Sequence, residues 1–303
     1  MRRVLVTGAN GLVGSNLKKV LLKNSFKVFT TDLMGEVNFK GDLKDSIFVN
    51  TLPEVDYIIN CAAVQYLSPG IPFFQRKKYF YDNNVISQRN IKEKYDSSIK
   101  FFIQFGSSMM YKQNLIGEYD TEDCFDANGV YSDSKCQAYA ESQKLKCPSA
   151  LIIPSIIAGK GRQGFFSFIA KMISRFGIVI MPGNCSHTTS VVHVDDVCSL
   201  VIKVLSRQAQ GIFNADSGEN SSISEWVDLI SKKLNTKVLK IKIPIKIFKF
   251  LGFISCYRFI AKEQLMILGH PHRLNLRRST ALGWKPSKGI QKILNDTIEC
   301  KLD

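Results

Sequence analysis

Along the first half of the chain, short apolar runs alternate with longer stretches in which apolar residues recur every three or four positions. Residues 4–7 predict a buried strand, and Leu12–Lys23, apolar at 12, 13, 17, 20 and 21, predicts a helix. The same reading predicts strands at 27–31, Tyr57–Asn60, Phe101–Phe105 and 150–153, with helices around 84–94 and from about 132 to 144. Strand–helix–strand units of this length imply an α/β fold, a doubly wound parallel sheet covered by helices on both faces.

After Pro154 the rhythm changes. Phe165–Phe176 predicts an amphipathic or buried helix, residues 191–194 one more strand, and 197–205 a helix capped by Asp195 or Asp196. A further helix is predicted at 224–234. The expected organisation is a main domain over 1–158, to which 190–212 returns, and a smaller C-terminal substrate lobe made of 159–189 and 213–303. No internal repeat or low-complexity linker interrupts this pattern.

With 303 residues, 45% of them hydrophobic, the chain can bury a substantial core. The eight cysteines, at 61, 124, 136, 147, 185, 198, 256 and 300, show no metal-ligand or disulfide spacing and read as reduced thiols. Met1-Arg2-Arg3 leads into an apolar run too short for a signal peptide or a membrane span, so the expectation is a cytoplasmic protein. The net charge of +15 points to an anionic partner, and it is unevenly shared: residues 232–303 carry 16 Lys/Arg against 4 Asp/Glu, a net of +12.

Gly8, Gly11 and Gly14 fall three apart between the first strand and the first helix. Gly8 suits a tight turn, Gly11 the approach of a pyrophosphate to the backbone, and Gly14 close packing of helix on sheet; the helix N-terminus then faces the anion. Asp32 ends the second strand, 18 residues after Gly14, where a carboxylate accepts from ribose hydroxyls and repels a 2′-phosphate. The expected cofactor is therefore NAD rather than NADP, on a Rossmann-type sheet.

Tyr131 and Lys135 stand four apart, on one helix face. An ammonium beside a phenol stabilises phenolate, which fits Tyr131 for acid–base work near neutral pH. Upstream, Phe101–Phe105 ends at Gly106-Ser107-Ser108, where a hydroxyl can orient a substrate carbonyl or alcohol.

With these features the chain resembles the extended short-chain dehydrogenase/reductase family, of the NAD-dependent epimerase/dehydratase type, over nearly its whole length. Residues 7–14 resemble its cofactor fingerprint, 41–43 its adenine-contacting segment, 60–63 its fourth-strand motif and Asn84 its helix-bending asparagine. Residues 193–197 and 282–286 resemble its late signatures. The resemblance implies a catalytic set of Ser107, Tyr131 and Lys135. It implies cofactor contacts from Gly8, Asn10, Gly11, Leu12, Val13, Gly14, Asp32, Asp42, Leu43, Cys61, Ala62, Ala63, Tyr131, Lys135, Pro154 and Ile157. Substrate contacts are expected from Ser108 and Arg162, and a homodimer through a helix pair is compatible.

Departures from the family pattern matter as well. Ser108 and Met109 stand where its dehydratases and decarboxylases carry carboxylates, which disfavours proton abstraction from carbon. Hydride transfer at a carbinol or ketone remains. The expected function is an NAD-dependent epimerase or ketoreductase on a nucleotide-linked sugar, in surface polysaccharide synthesis. Ile153 and Ile156 replace the Arg and Asn usual in sugar epimerases and keep a hydroxysteroid or lipid-alcohol dehydrogenase open. A non-catalytic dinucleotide-binding protein is the third reading.

The remaining signals are weaker. His187, His193, His270 and His272 lack a third ligand, so no metal site is expected. From Lys237 to Phe259 lysines interleave with Ile, Phe and Leu. Such a strip can seat a protein on an anionic bilayer, although an ordinary amphipathic part of the lobe is the favoured reading. No nucleic-acid-binding module is present.

Overall fold

The computed structural model describes residues 2–255 and 261–298, apart from 67, 69, 114, 115 and 163. Seven parallel strands form the central sheet: β1 (Arg3–Thr7), β2 (Lys27–Asp32), β3 (Phe39–Lys40), β4 (Tyr57–Asn60), β5 (Phe101–Phe105), β7 (Ser149–Pro154) and β11 (Gly211–Ala215). Their order is β11-β7-β5-β4-β1-β2-β3. The order reverses between β1 and β4, and at such a switch point a crevice opens beyond the strands' C-terminal ends.

Alternation of side chains along β1 explains the two helix layers. Val4 and Val6 point to one face, where they pack with Leu17 and Leu21 of α1 (Leu12–Lys23) and with Val197, Val201 and Val204 of α7 (Val194–Arg207). Leu5 points to the other, meeting Val49 of α2 (Ser46–Thr51) and Ile91 and Tyr95 of α4 (Ser87–Tyr95). Helix α3 (Arg76–Tyr81) runs into α4 through a π-helical segment, Asp82–Ile86, so the helix expected around 84–94 begins well before it. Within that segment Asn84 accepts from Val64 N at 2.8 Å and donates to Ser134 Oγ at 2.8 Å, bonds that couple the bend to α5 (Val130–Ser142).

The C-terminal part gathers round a separate core in which Trp226 of α8 (Ile223–Lys233) meets Phe166 and Ile173 of α6 (Phe165–Phe176) and Ile293 of α12 (Ile290–Ile298). Short parallel pairs surround it: β10 (Val191–His193) with β8 (Ile156–Ala158), β12 (Leu239–Ile243) with β9 (Ile178–Pro182), and β13 (Arg273–Leu274) with β6 (Glu118–Tyr119). The helices α9 (Ile245–Ile254), α10 (Lys262–Gly269) and α11 (Arg277–Ala281) complete the chain order. Residues 191–193 therefore pair outside the main sheet, while β11 joins it through β7 and spans the expected division at 212/213.

The cap of α7 differs from expectation. His193, not Asp195 or Asp196, is the N-cap: its Nδ1 accepts from Asp195 N at 3.1 Å. Asp196 is buried in the first turn and accepts from Ser287 N, Ser287 Oγ and Lys288 N at 3.0, 2.7 and 3.0 Å. Trp284 Nε1 donates to Asp196 O at 3.2 Å, which joins segment 193–197 to 282–286.

Candidate active site

At the switch point the β1–α1 turn forms a backbone cradle. Gly8 has φ +61°, and a Cβ there would lie 2.8 Å from Ala62 N and 2.9 Å from Cys61 C; one at Gly14 would lie 2.3 Å from Gly8 O. Gly11 is exposed, and a Cβ there would meet nothing closer than Gly8 O at 3.2 Å, which leaves this stretch of backbone open to a ligand. No side chain caps α1 and no acid occupies its first turn, so the helix N-terminus presents free N–H groups to an anion. Asp32 accepts from Asn10 N at 2.8 Å and Leu33 N at 2.7 Å, which fixes its half-buried carboxylate beside the cradle.

These features fit a dinucleotide: glycines where only backbone has room, an uncapped helix, and a carboxylate at the β2 terminus. Thr7 Oγ1 donates to Asn60 Oδ1 at 2.5 Å and accepts from Ala62 N at 3.1 Å, which pins the end of β4 against β1. Asn60 donates onward to Gln88 and Gln104. Leu12 and Val13 open α1, Ala63 is exposed at the crevice, Pro154 ends β7 and Ile157 lies in β8. Asp42 Oδ1 accepts from Lys44 N, and Leu43 is buried in the core.

Lys135 is buried next to Cys61, whose carbonyl carbon abuts Gly8; the thiol is pushed up by its burial. One turn earlier on the same helix lies Tyr131, hydrogen-bonded by the Ser107 side chain. Cys61 and Lys135 thus connect the cradle to the helix that carries the phenol. Burial pushes the Tyr131 phenol up to about 12; Ser107 pulls it down, the Glu263 carboxylate pushes it further up, and the Arg162 guanidinium opposes Glu263. Burial also pushes the Lys135 ammonium down to about 8. The groups that favour phenolate are thus Ser107 and Arg162 rather than the expected Lys135, and burial keeps the phenol protonated at neutral pH.

Sequence reasoning missed Glu263. It reaches from α10 to the start of α5, where Oε1 accepts from Ser132 N at 2.8 Å and Ser132 Oγ at 2.7 Å. A Cβ on Gly129 would lie 2.3 Å from its Cδ. Its one legible signal is position: it is the first acid after a run, 229–262, that has none. Tyr66 was missed as well; its ring lies 5.8 Å from that of Tyr131, and burial and Glu263 push its hydroxyl up.

Next to Glu263 opens a small cleft lined by Ser108, Met109, Asn128, Glu263, His270 and His272 among others. Glu263 thus brings a carboxylate from the C-terminal part to the cleft wall. Burial pushes His272 down to about 4, so it is neutral at physiological pH. Among the described residues no group of three or more His, Cys, Asp or Glu is placed to hold a metal ion.

A doubly wound parallel sheet with a glycine cradle at its switch point defines a dinucleotide-binding enzyme of the Rossmann type. The chain belongs to the NAD dependent epimerase/dehydratase family, whose sequence profile matches residues 4–215. It is 24% identical to a UDP-glucose 4-epimerase of Vibrio cholerae, over 99% of this chain and 96% of that protein. It is 25% identical to the low-salt glycan biosynthesis protein Agl12 of Haloferax volcanii, over 98% and 97%. Its fold is that of MoeE5, solved in complex with UDP-glucuronic acid and NAD: TM-score 0.80, 19% identity, 98% of both chains covered.

Proposed function

We propose that the protein transfers hydride at a carbinol or ketone carbon of a nucleotide-linked sugar, as an epimerase or ketoreductase of glycan synthesis. The observation that carries this reading is the adjacency of the glycine cradle, Lys135 and the Ser107–Tyr131 pair at the switch point of the sheet. The UDP-sugar chemistry of the relatives and the +12 charge of residues 232–303 support an anionic, nucleotide-linked substrate.

NAD, when bound, supplies the hydride acceptor. The cradle of Gly8, Asn10, Gly11, Leu12, Val13 and Gly14 would hold its pyrophosphate, Asp32 its adenosine ribose and Lys135 its second ribose. Asp32 disfavours a 2′-phosphate and therefore NADP. Tyr131 exchanges the proton of the reacting oxygen: as phenolate it accepts that proton when the alcohol is oxidised, and as phenol it returns it when the ketone is reduced. Ser107 hydrogen-bonds the same oxygen and keeps it in line with the phenol. Ser108 and Arg162 face the substrate.

Thermal unfolding with NAD present tests the substrate class. UDP-glucose or UDP-glucuronic acid is expected to raise the melting temperature, and sterols are not. The opposite pattern would favour a lipid-alcohol dehydrogenase and overturn the nucleotide-sugar reading.

A further inference from the structure

Residues 229–262 contain nine Lys/Arg and no Asp/Glu. An ordinary amphipathic segment would bury the apolar residues of this stretch, and the structure leaves many of them out. In the β9–β12 pair, Ile180 lies opposite Ile241. Val179 and Met181 face the core, while Ile180, Leu239 and Ile241 are exposed on the outer side. Just before β9, Phe176 is exposed too, with the Arg175 guanidinium over its ring.

Strand β12 passes through Pro244 straight into α9, of which only Gly252 is buried. Phe250 is 63% exposed, Leu251 56%, Phe253 71% and Ile254 62%, an outward apolar face on a ten-residue helix. Single exposed apolar residues are unremarkable, but a contiguous set on adjoining elements marks an interaction surface. Lys237, Lys242, Lys246 and Lys249 stand among them and make no ion pair among the described residues, whereas Lys240 pairs with Asp228 at 2.6 Å.

We propose that this face, the outer side of β9–β12 together with α9, seats the protein on an anionic phospholipid bilayer. The phenylalanines and leucine enter the boundary between headgroups and acyl chains while the lysines reach up to the phosphates. A second copy of the chain is a poor occupant, because it would bring two segments of net +12 together. No helix among the described residues is long and apolar enough to cross a membrane, and α9, about 15 Å long, lies along the interface instead.

The seating bears on the cleft. A Cβ on Gly269 of α10 would lie 2.3 Å from Ile245 Cδ1 of α9, so the two helices are in close contact. Helix α10 supplies Glu263, Met266 and Ile267 to the cleft wall, which puts the cleft one helix away from the lipid. The stretch from Lys237 to Phe259 extends beyond α9 into 256–260, which lie outside the described residues.

Flotation of the full chain with lipid vesicles tests this. Vesicles of phosphatidylcholine with about one-third phosphatidylglycerol are expected to carry the protein; pure phosphatidylcholine vesicles are expected to leave most of it behind, and salt near 1 M, where the screening length is about 3 Å, to weaken binding. The double variants Phe250→Ser/Phe253→Ser and Lys246→Gln/Lys249→Gln are each expected to lose about tenfold or more in partitioning, with circular dichroism and melting temperature unchanged. A wild-type chain that never floats with the anionic vesicles overturns the proposal, as do double variants that float like wild type. A dimer broken by the same substitutions, in a chain that ignores lipid, overturns it in favour of a second copy.

Discussion

The glycine cradle and the Tyr131 pocket sit at the same edge of the sheet and are built in opposite ways. The cradle is mostly local: its glycines fall within seven consecutive residues, 8–14, and it rests on missing side-chain atoms, since a Cβ at Gly14 would fall 2.3 Å from Gly8 O. The pocket is assembled from distant segments, with Ser107 after β5, Tyr131 and Lys135 on α5, Arg162 beyond β8 and Glu263 on α10. Steric fit of the first kind tolerates no addition. The second is a balance of burial against neighbouring charge, and single substitutions can tip it either way.

The largest effect is expected on the pocket side. Tyr131→Phe should lower turnover by roughly 10²–10⁴-fold while thermal protection by NAD survives, and turnover near the wild-type rate would place proton exchange elsewhere. Next comes acid stability. The folded state holds His272 at about 4 against an ordinary value of 6.5, so its neutral burial stabilises the fold above pH 6.5. That contribution is lost as pH falls from 6.5 through 4, by up to about 3 kcal/mol. His272→Gln should flatten this limb of the stability curve in urea titrations.

Gly14→Ala sharpens the steric half. The added methyl collides with backbone and should cost about 1–3 kcal/mol, with loss of the stabilisation conferred by NAD; an unchanged melting temperature with NAD protection intact would show the cradle to be looser than its geometry. The smallest effects concern Glu263. Glu263→Ala removes the acceptor for Ser132 and should cost about 1 kcal/mol. Glu263→Gln keeps an acceptor oxygen but removes the charge that disfavours phenolate, so the rise of activity with pH should move to lower pH. If neither variant moved the profile, Glu263 would be a structural cap alone.

The same contrast decides what was legible in the sequence. Strands and helices of the sheet follow from periodicity, and α1 and α6 coincide with the predicted bounds because their apolar spacing is regular. The cradle is legible because its chemistry is consecutive. The start of the helix bearing Tyr131 was placed two residues late, since its first turn is held by Glu263 from far along the chain. The cap of α7 was misassigned for a related reason: Asp196 is engaged by Ser287 and Lys288 instead, a partnership invisible to local pattern. Helix α3 carries Arg76, Lys77 and Lys78 and reads as a solvated stretch. The exposure of α9 was likewise hidden, because an apolar helix reads as buried until its neighbours are known.

The most direct measurement follows an isotope. The full chain with NAD is given UDP-glucose carrying deuterium on the sugar carbon that bears the reacting hydroxyl, in wild type and Tyr131→Phe, and both sugar and cofactor are recovered for mass spectrometry. The predicted result is deuterium retained by wild type, on the original sugar carbon after epimerisation or on the cofactor after net oxidation, with little conversion by Tyr131→Phe. Conversion of the sugar by wild type with the label lost to solvent would contradict hydride transfer at this site.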